Sequence, residues 1–382
     1  MAKRAYCGVD NTARRIKKIY VGVDGVARRV RKAYVGIDGV ARPFFSGGEI
    51  TYYGAIPTLG NSLVRTTGAA VADTYGVFAG GKLSTSTTAF LSDVVAYTSG
   101  FSKISAPSLP VNVEDMCAAS VGDYAIFIGG WYAGSAGKTT YRGVHAYNKA
   151  LVRTDATALT EQEAFNDESW TYYGTPTVTV SNYAIFARVN GKSKMYDASL
   201  TVSNLVTLQV SKTGHGKFAK AGNYAIFARG TTVCALDTSL VQHTVTNSLT
   251  EYREDMCAAS TQRYALFGGG FTIDYANETT TSRDELDVYD GSLTKINAGS
   301  LPVASRSLTG GTLGEDAMLV GFYSTSKKYN IVYKVDNDLV QTKLPNMNNS
   351  HRRAAIVSFA DRMLVAASDI DYSDKVDVYM SI

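Results

Sequence analysis

The most regular feature along the chain is a polar residue followed by a short, unbroken apolar run. It recurs as Asp123-Tyr124-Ala125-Ile126-Phe127, Asn182-Tyr183-Ala184-Ile185-Phe186, Asn223-Tyr224-Ala225-Ile226-Phe227 and Arg263-Tyr264-Ala265-Leu266-Phe267. An earlier copy is Asp73-Thr74-Tyr75-Gly76-Val77-Phe78, and looser copies fall at residues 316–320 and 362–366. Apolar runs this short predict strands covered on both faces. A strand of small residues, such as residues 117–121, comes before the run. A third strand follows and ends at a marker residue: Tyr97, Tyr147, Tyr196, Leu236, Tyr289, Tyr333 or Tyr379. A fourth follows a turn such as Tyr196-Asp197-Ala198-Ser199-Leu200. Three of the apolar runs close on paired glycines, Gly80-Gly81, Gly129-Gly130 and Gly268-Gly269.

Four strands recurring every 48 residues or so, in seven copies, predict an all-β protein built as a seven-bladed β-propeller. The seventh unit reaches Ile382 just after its third strand. Residues 49–60, with the phrase Tyr53-Gly54-Ala55-Ile56-Pro57-Thr58-Leu59, resemble the fourth-strand phrase Ala106-Pro107-Ser108-Leu109-Pro110. They are expected to complete the last blade and so remove an exposed sheet edge.

A second period lies ahead of the ring. Ala5-Tyr6-Cys7-Gly8-Val9-Asp10 returns as Ile19-Tyr20-Val21-Gly22-Val23-Asp24 and Ala33-Tyr34-Val35-Gly36-Ile37-Asp38, a repeat of 14 residues. Asp24-Gly25 and Asp38-Gly39 between β-rich runs predict hairpins. The chain therefore divides into a hairpin region, residues 1–45, and a ring, residues 46–382.

Charge separates the same two parts. The 382 residues carry a formal net charge of +4. Residues 1–44 hold 11 Lys and Arg against 3 Asp, a net +8, and the rest of the chain carries −4. Only 19% of residues are charged and 45% are hydrophobic, which disfavours a disordered chain or a coiled coil. No apolar run reaches 18 residues, and the start of the chain lacks an apolar leader core; synthesis in a bacterial cytoplasm is the expectation.

Candidate chemistry is sparse. The four cysteines and four histidines show no metal-ligand spacing, so no metal and no cofactor is expected. The carboxylate pairs Glu114/Asp115 and Glu254/Asp255 come from one repeated heptapeptide, Glu-Asp-Met-Cys-Ala-Ala-Ser, and repetition accounts for both. The loops between strands two and three vary most in length. They carry Trp131, Tyr132, Tyr141, Tyr275, Phe322, Tyr323 and Tyr372 among small polar residues, the composition of a recognition surface. In the basic hairpins Tyr6, Tyr20, Tyr34, Arg28, Arg29 and Arg31 are the candidate docking residues. Their charges recur at one phase of the repeat, which favours an exposed or docking face over nucleic-acid binding.

On the glycine pairs, the marker tyrosines and the period, the ring resembles the kelch-repeat β-propellers. Four of its seven blades lack the full glycine pair. The hairpin units Ile19–Lys32 and Ala33–Arg42 resemble repeats found at one end of structural and tail-associated proteins of phages that infect Gram-positive, often gut, bacteria. This resemblance implies a virion protein without enzymatic activity. Its hairpins would dock to other virion proteins, its ring would present a face to a host-surface glycan or protein, and its copies would form a homo-oligomer on the particle. Two alternatives stand beside it. One is a propeller enzyme acting on surface glycans from the central channel, which would depend on Asp115 or Asp255. The other is an intracellular adaptor that binds proteins on the same face.

Overall fold

A computed structural model describes residues 49–381 apart from 61–62, 65, 72–73, 84–88, 135–136, 160–176, 188–192, 205–207, 209–215, 324–327 and 369–372. Of residues 1–48 it describes the backbone of six strands, paired as three antiparallel hairpins whose last pairs are Val9↔Thr12, Val23↔Val26 and Ile37↔Val40.

Seven four-stranded antiparallel sheets follow, and no helix occurs among the described residues. The innermost strands, in blade order, are Thr67–Val71, Cys117–Val121, Thr177–Val180, Lys217–Ala221, Cys257–Ser260, Thr309–Leu313 and Ala355–Phe359. Each touches the next, and the last touches the first, so the sheets form a closed ring. Blade five is typical of the blades, with Cys257–Ser260, Ala265–Gly268, Glu285–Tyr289 and Lys295–Ser300 in order from axis to rim.

Closure follows the sequence expectation. Ile50–Ile56 pairs antiparallel with Val376–Ser381 as the outer strand of blade seven. The apolar core lies between blades rather than within them. Val71, Val77 and Ala96 of blade one, for instance, pack with Phe127 and Tyr147 of blade two. A second strand such as Tyr124–Ile128 meets a neighbouring sheet on each face, which is why its apolar run is unbroken.

The marker tyrosines bind one blade to the next. The hydroxyls of Tyr97, Tyr147, Tyr196, Tyr289 and Tyr379 donate to the carbonyls of Pro57, Pro107, Thr157, Asn247 and Pro345, each just beyond the preceding blade's fourth strand. Blade six departs from the predicted register. Ala317 pairs with Val335, as Ala265 pairs with Tyr289, so the marker place belongs to Val335 and not to Tyr333. A bulge around Phe322 shifts this strand pair.

The turns between strands three and four repeat closely. The side chains of Thr98, Asn148, Asp197, Asp237, Asp290 and Asp336 each accept the backbone N–H groups two and four residues on. This side-chain acceptor takes the place of a backbone turn bond. The residue three places further on, Phe101, Leu151, Leu200, Leu240, Leu293 or Leu339, is left-handed in every case.

The glycine pairs serve a different need. Gly129 and Gly130 have φ of 67° and 103°, and a Cβ on Gly130 would lie 2.5 Å from the carbonyl oxygen of Glu114. The incoming connector crosses here, and only glycine admits its backbone. The matching pair in blade five is Gly269-Gly270, one residue later than the sequence suggested.

Candidate functional site

The four connectors described throughout, residues 106–116, 245–256, 301–308 and 344–354, run inward from one blade's rim and lead into the next blade's innermost strand. Four described lead-ins share an unusual backbone. Asp115, Asp255, Ser307 and Arg353 each stand two residues before an inner strand, with φ of 55°, 53°, 63° and 50°. None is glycine, and a left-handed conformation of this kind costs about 1–3 kcal/mol when packing enforces it. The strain is repeated around the mouth of the channel, and strained backbone of this sort concentrates at functional sites.

Three of these residues meet there. Ser307 Oγ donates to Asp255 Oδ2 at 2.8 Å, and Arg353 Nη2 donates to the same oxygen at 2.9 Å. Lys217 opens the inner strand of blade four and feels the charges of Asp255 and Arg353. Burial holds its ammonium below the ordinary lysine range; Asp255 and Cys257 oppose this, and Arg353 reinforces it. Blades four to seven thus contribute one residue each to a cluster of two cations, a carboxylate and a hydroxyl.

The repeated heptapeptides have equivalent backbones. Glu114 exchanges two backbone hydrogen bonds with Trp131, and Glu254 does the same with Phe271. Their side chains part company. Glu114 Oε2 lies 3.9 Å from Lys82 Nζ, whereas Glu254 Oε1 accepts the hydroxyl of Tyr252 at 2.8 Å. Burial pushes the Tyr252 phenol up, and the Glu254 hydrogen bond adds to the effect, so the hydroxyl keeps its proton. Arg306 stacks over the ring of Phe271 at 5.7 Å beside this pair's hairpin (Phe271–Asp274 with Thr279–Ser282).

Two further polar side chains on the lead-ins are structural. Arg253 and His351 occupy equivalent places, four residues before their inner strands, and both are fully buried. Arg253 donates to Asp287, which also accepts from Thr250 and lies 2.7 Å from Lys295 Nζ. His351 Nε2 lies 2.7 Å from Asp377 Oδ2, and Asp377 also accepts from Tyr52 and Asn349. Asp287 and Asp377 are themselves equivalent, two residues before the marker tyrosines.

The residues expected to form a recognition surface are scattered in role. Tyr275 and Tyr323 are exposed, Tyr275 to 76%. Trp131 and Tyr132 are half-buried, and Tyr132 packs edge-on against Tyr141. Tyr141 is turned inward onto His145. Phe322 corrects the sequence expectation: it is 0% exposed and packs edge-on against Tyr333, because the blade-six bulge turns it into the core. Tyr372 and Arg31 lie outside the described residues. Tyr6, Tyr20, Tyr34, Arg28 and Arg29 fall on hairpin strands whose backbone alone is described.

Lys217, Tyr252 and Ser307 were not singled out from sequence. A signal for Tyr252 did exist. The two identical heptapeptides are preceded by Val111-Asn112-Val113 in one blade and Glu251-Tyr252-Arg253 in the other, so the divergence begins where the charged groups gather. No group of three or more His, Cys, Asp or Glu side chains is placed to hold a metal ion among the described residues.

No protein-family model matches the chain, and no curated protein matches it in sequence. Solved structures do match in fold. The structure of YjhT superposes with a TM-score of 0.55 at 12% identity, covering 76% of this chain and 99% of that one. A streptogramin B lyase superposes with a TM-score of 0.51 at 10% identity, covering 87% of this chain and 98% of that one. The fold is therefore a β-propeller, as its repeats predicted. The lyase overturns the expectation of a virion protein without enzymatic activity, because the shared architecture is one on which an enzyme is built.

Proposed function

We propose that the ring is an enzyme that acts on a surface glycan at the connector-side mouth of its channel. The observation that carries this reading is the meeting of Asp255, Ser307 and Arg353, with Lys217 beside them, on strained lead-ins from separate blades. Asp255 is the proton acceptor. Both of its donors sit on Oδ2, which orients the carboxylate and leaves Oδ1 to receive a proton from water or substrate. Lys217, held below the ordinary lysine range by burial, serves as the partner acid or base. The acceptor and its partner suit hydrolysis or elimination alike.

The kelch-like character of the ring belongs to the same reading and is supported by the glycine pairs that admit the connectors. The basic hairpins would then dock this enzyme to a particle, a role supported by the resemblance of their repeats.

The test is product release from a broad panel of bacterial surface glycans, followed by mass spectrometry. Asp255→Asn keeps a residue that tolerates left-handed backbone. It is expected to lower turnover by about a hundredfold or more, with its melting temperature little changed. Absence of product from every glycan with the native chain overturns the proposal.

A further inference from the structure

Blade two carries another set of reactive side chains, away from the channel. Tyr141 lies just ahead of the third strand (Val144–Tyr147) and folds back over Gly143, where a Cβ would meet the phenol oxygen at 2.4 Å. Its ring stacks on the imidazole of His145, with centroids 5.7 Å apart and planes 22° from parallel. The Tyr141 oxygen is 2.7 Å from His145 Nε2. His145 Nδ1 is 2.7 Å from Asp155 Oδ1, and Arg153 Nε lies 3.1 Å from that same oxygen. His145 is buried, Tyr141 half-buried and Asp155 exposed.

The proton positions follow from the partners. An ionised carboxylate only accepts, so Nδ1 carries the imidazole proton and Nε2 turns its lone pair to the phenol. Burial holds His145 below the ordinary imidazole value; Asp155 opposes this and Arg153 adds to it. The ring is therefore a neutral base at pH 7. Burial likewise pushes the Tyr141 phenol up to about 12, so it stays protonated until that base removes the proton. Hydroxyl, neutral imidazole and carboxylate in a line form the chain of nucleophile, base and orienting group used in covalent catalysis.

Packing does not demand this arrangement. Blades five and seven fill the place of His145 with Asp287 and Asp377, each bound to a buried side chain on the lead-in, Arg253 or His351. In blade two the lead-in residue is the buried, apolar Val113, and His145 turns instead to Tyr141 and Asp155.

We infer that Tyr141 is a nucleophile for acyl transfer, with His145 as its general base and Asp155 as a positioning residue, and that the substrate class is an O-acyl ester. In the first step the Tyr141 oxygen bonds to the ester carbonyl carbon while its proton passes to His145 Nε2. The bond from that carbon to the leaving oxygen breaks, and the alcohol departs with the proton from His145. Water, deprotonated by His145, then attacks the aryl ester, releasing the carboxylic acid and restoring the phenol. No oxidant or reductant is required.

The full-length protein treated with p-nitrophenyl acetate provides the test, with acetylation mapped by peptide mass spectrometry. Tyr275, the most exposed tyrosine described, is the internal standard. Tyr141 is expected to acetylate at least about a hundredfold faster than Tyr275. His145→Gln removes that advantage. Asp155→Asn, at an exposed position, lowers the rate and moves the acid limb of its pH profile to lower pH, because the imidazolium loses its partner; a merely structural aspartate would leave that limb in place. Asp255→Asn leaves the labelling unchanged, which separates this site from the channel mouth. Acetylation of Tyr141 no faster than that of Tyr275 in the native protein overturns the inference.

Discussion

The two faces of the ring differ in how they use repetition. On the face formed by the turns between strands three and four, six blades solve one problem in one way, with an Asp, Asn or Thr acceptor followed by a left-handed residue. On the connector face the backbone repeats but the side chains do not. Asp115, Asp255, Ser307 and Arg353 share one strained conformation and carry different chemistry. Repetition of side chain and backbone together marks a folding device. Repetition of backbone with divergent side chains marks a frame on which function is varied.

The largest expected departure comes from breaking an anchor beneath the variable face. Asp287→Ala strands the fully buried Arg253 without its carboxylate and is expected to cost about 3–5 kcal/mol. Urea denaturation would measure it. A cost as small as that of an exposed substitution would place Arg253 among the functional groups instead of the structural ones.

An intermediate effect is expected from acid. Burial works to raise the Asp377 carboxyl, but hydrogen bonds from His351, Tyr52 and Asn349 outweigh it and hold the group below the ordinary carboxylate range. Its contribution to stability is complete above the unfolded value of about 3.9 and fades as pH falls through the lower folded value. Asp377→Asn should therefore flatten the loss of stability below about pH 4, read from urea midpoints across pH. An unchanged acid slope would show that other carboxylates carry it.

The smallest effects belong to the uniform face. Asp197→Ala and Asp290→Ala each remove a turn acceptor, at about 0.5–1.5 kcal/mol apiece. Near-equal costs in calorimetry would confirm that these blades are interchangeable there. Unequal costs would identify a turn with a further role.

This division explains what the sequence could reveal. The ring was legible because its signals are local: apolar runs, marker tyrosines and the outer strand supplied by Ile50–Ile56. The marker failed in blade six, where the place that pairs with Ala317 is held by Val335 and the tyrosine stands two residues before it, at Tyr333. The site was mostly illegible because its members are distant in the chain. Arg353 reaches Asp255 across 98 positions, and nothing around either residue announces the other. Repetition also misled, since identical heptapeptides suggested identical roles for Glu114 and Glu254, whose side chains meet different partners.

The closing strand has a consequence for how the protein is made. Tyr52 binds Asp377, a partner synthesised 325 residues after it. The ring strand that leaves the ribosome first is thus the one that finds its neighbours last. Contacts of such long range slow folding, and an unpaired edge is a hazard while it waits. A product released early would keep that edge exposed, because the strand that covers it, Val376–Ser381, belongs to the seventh blade.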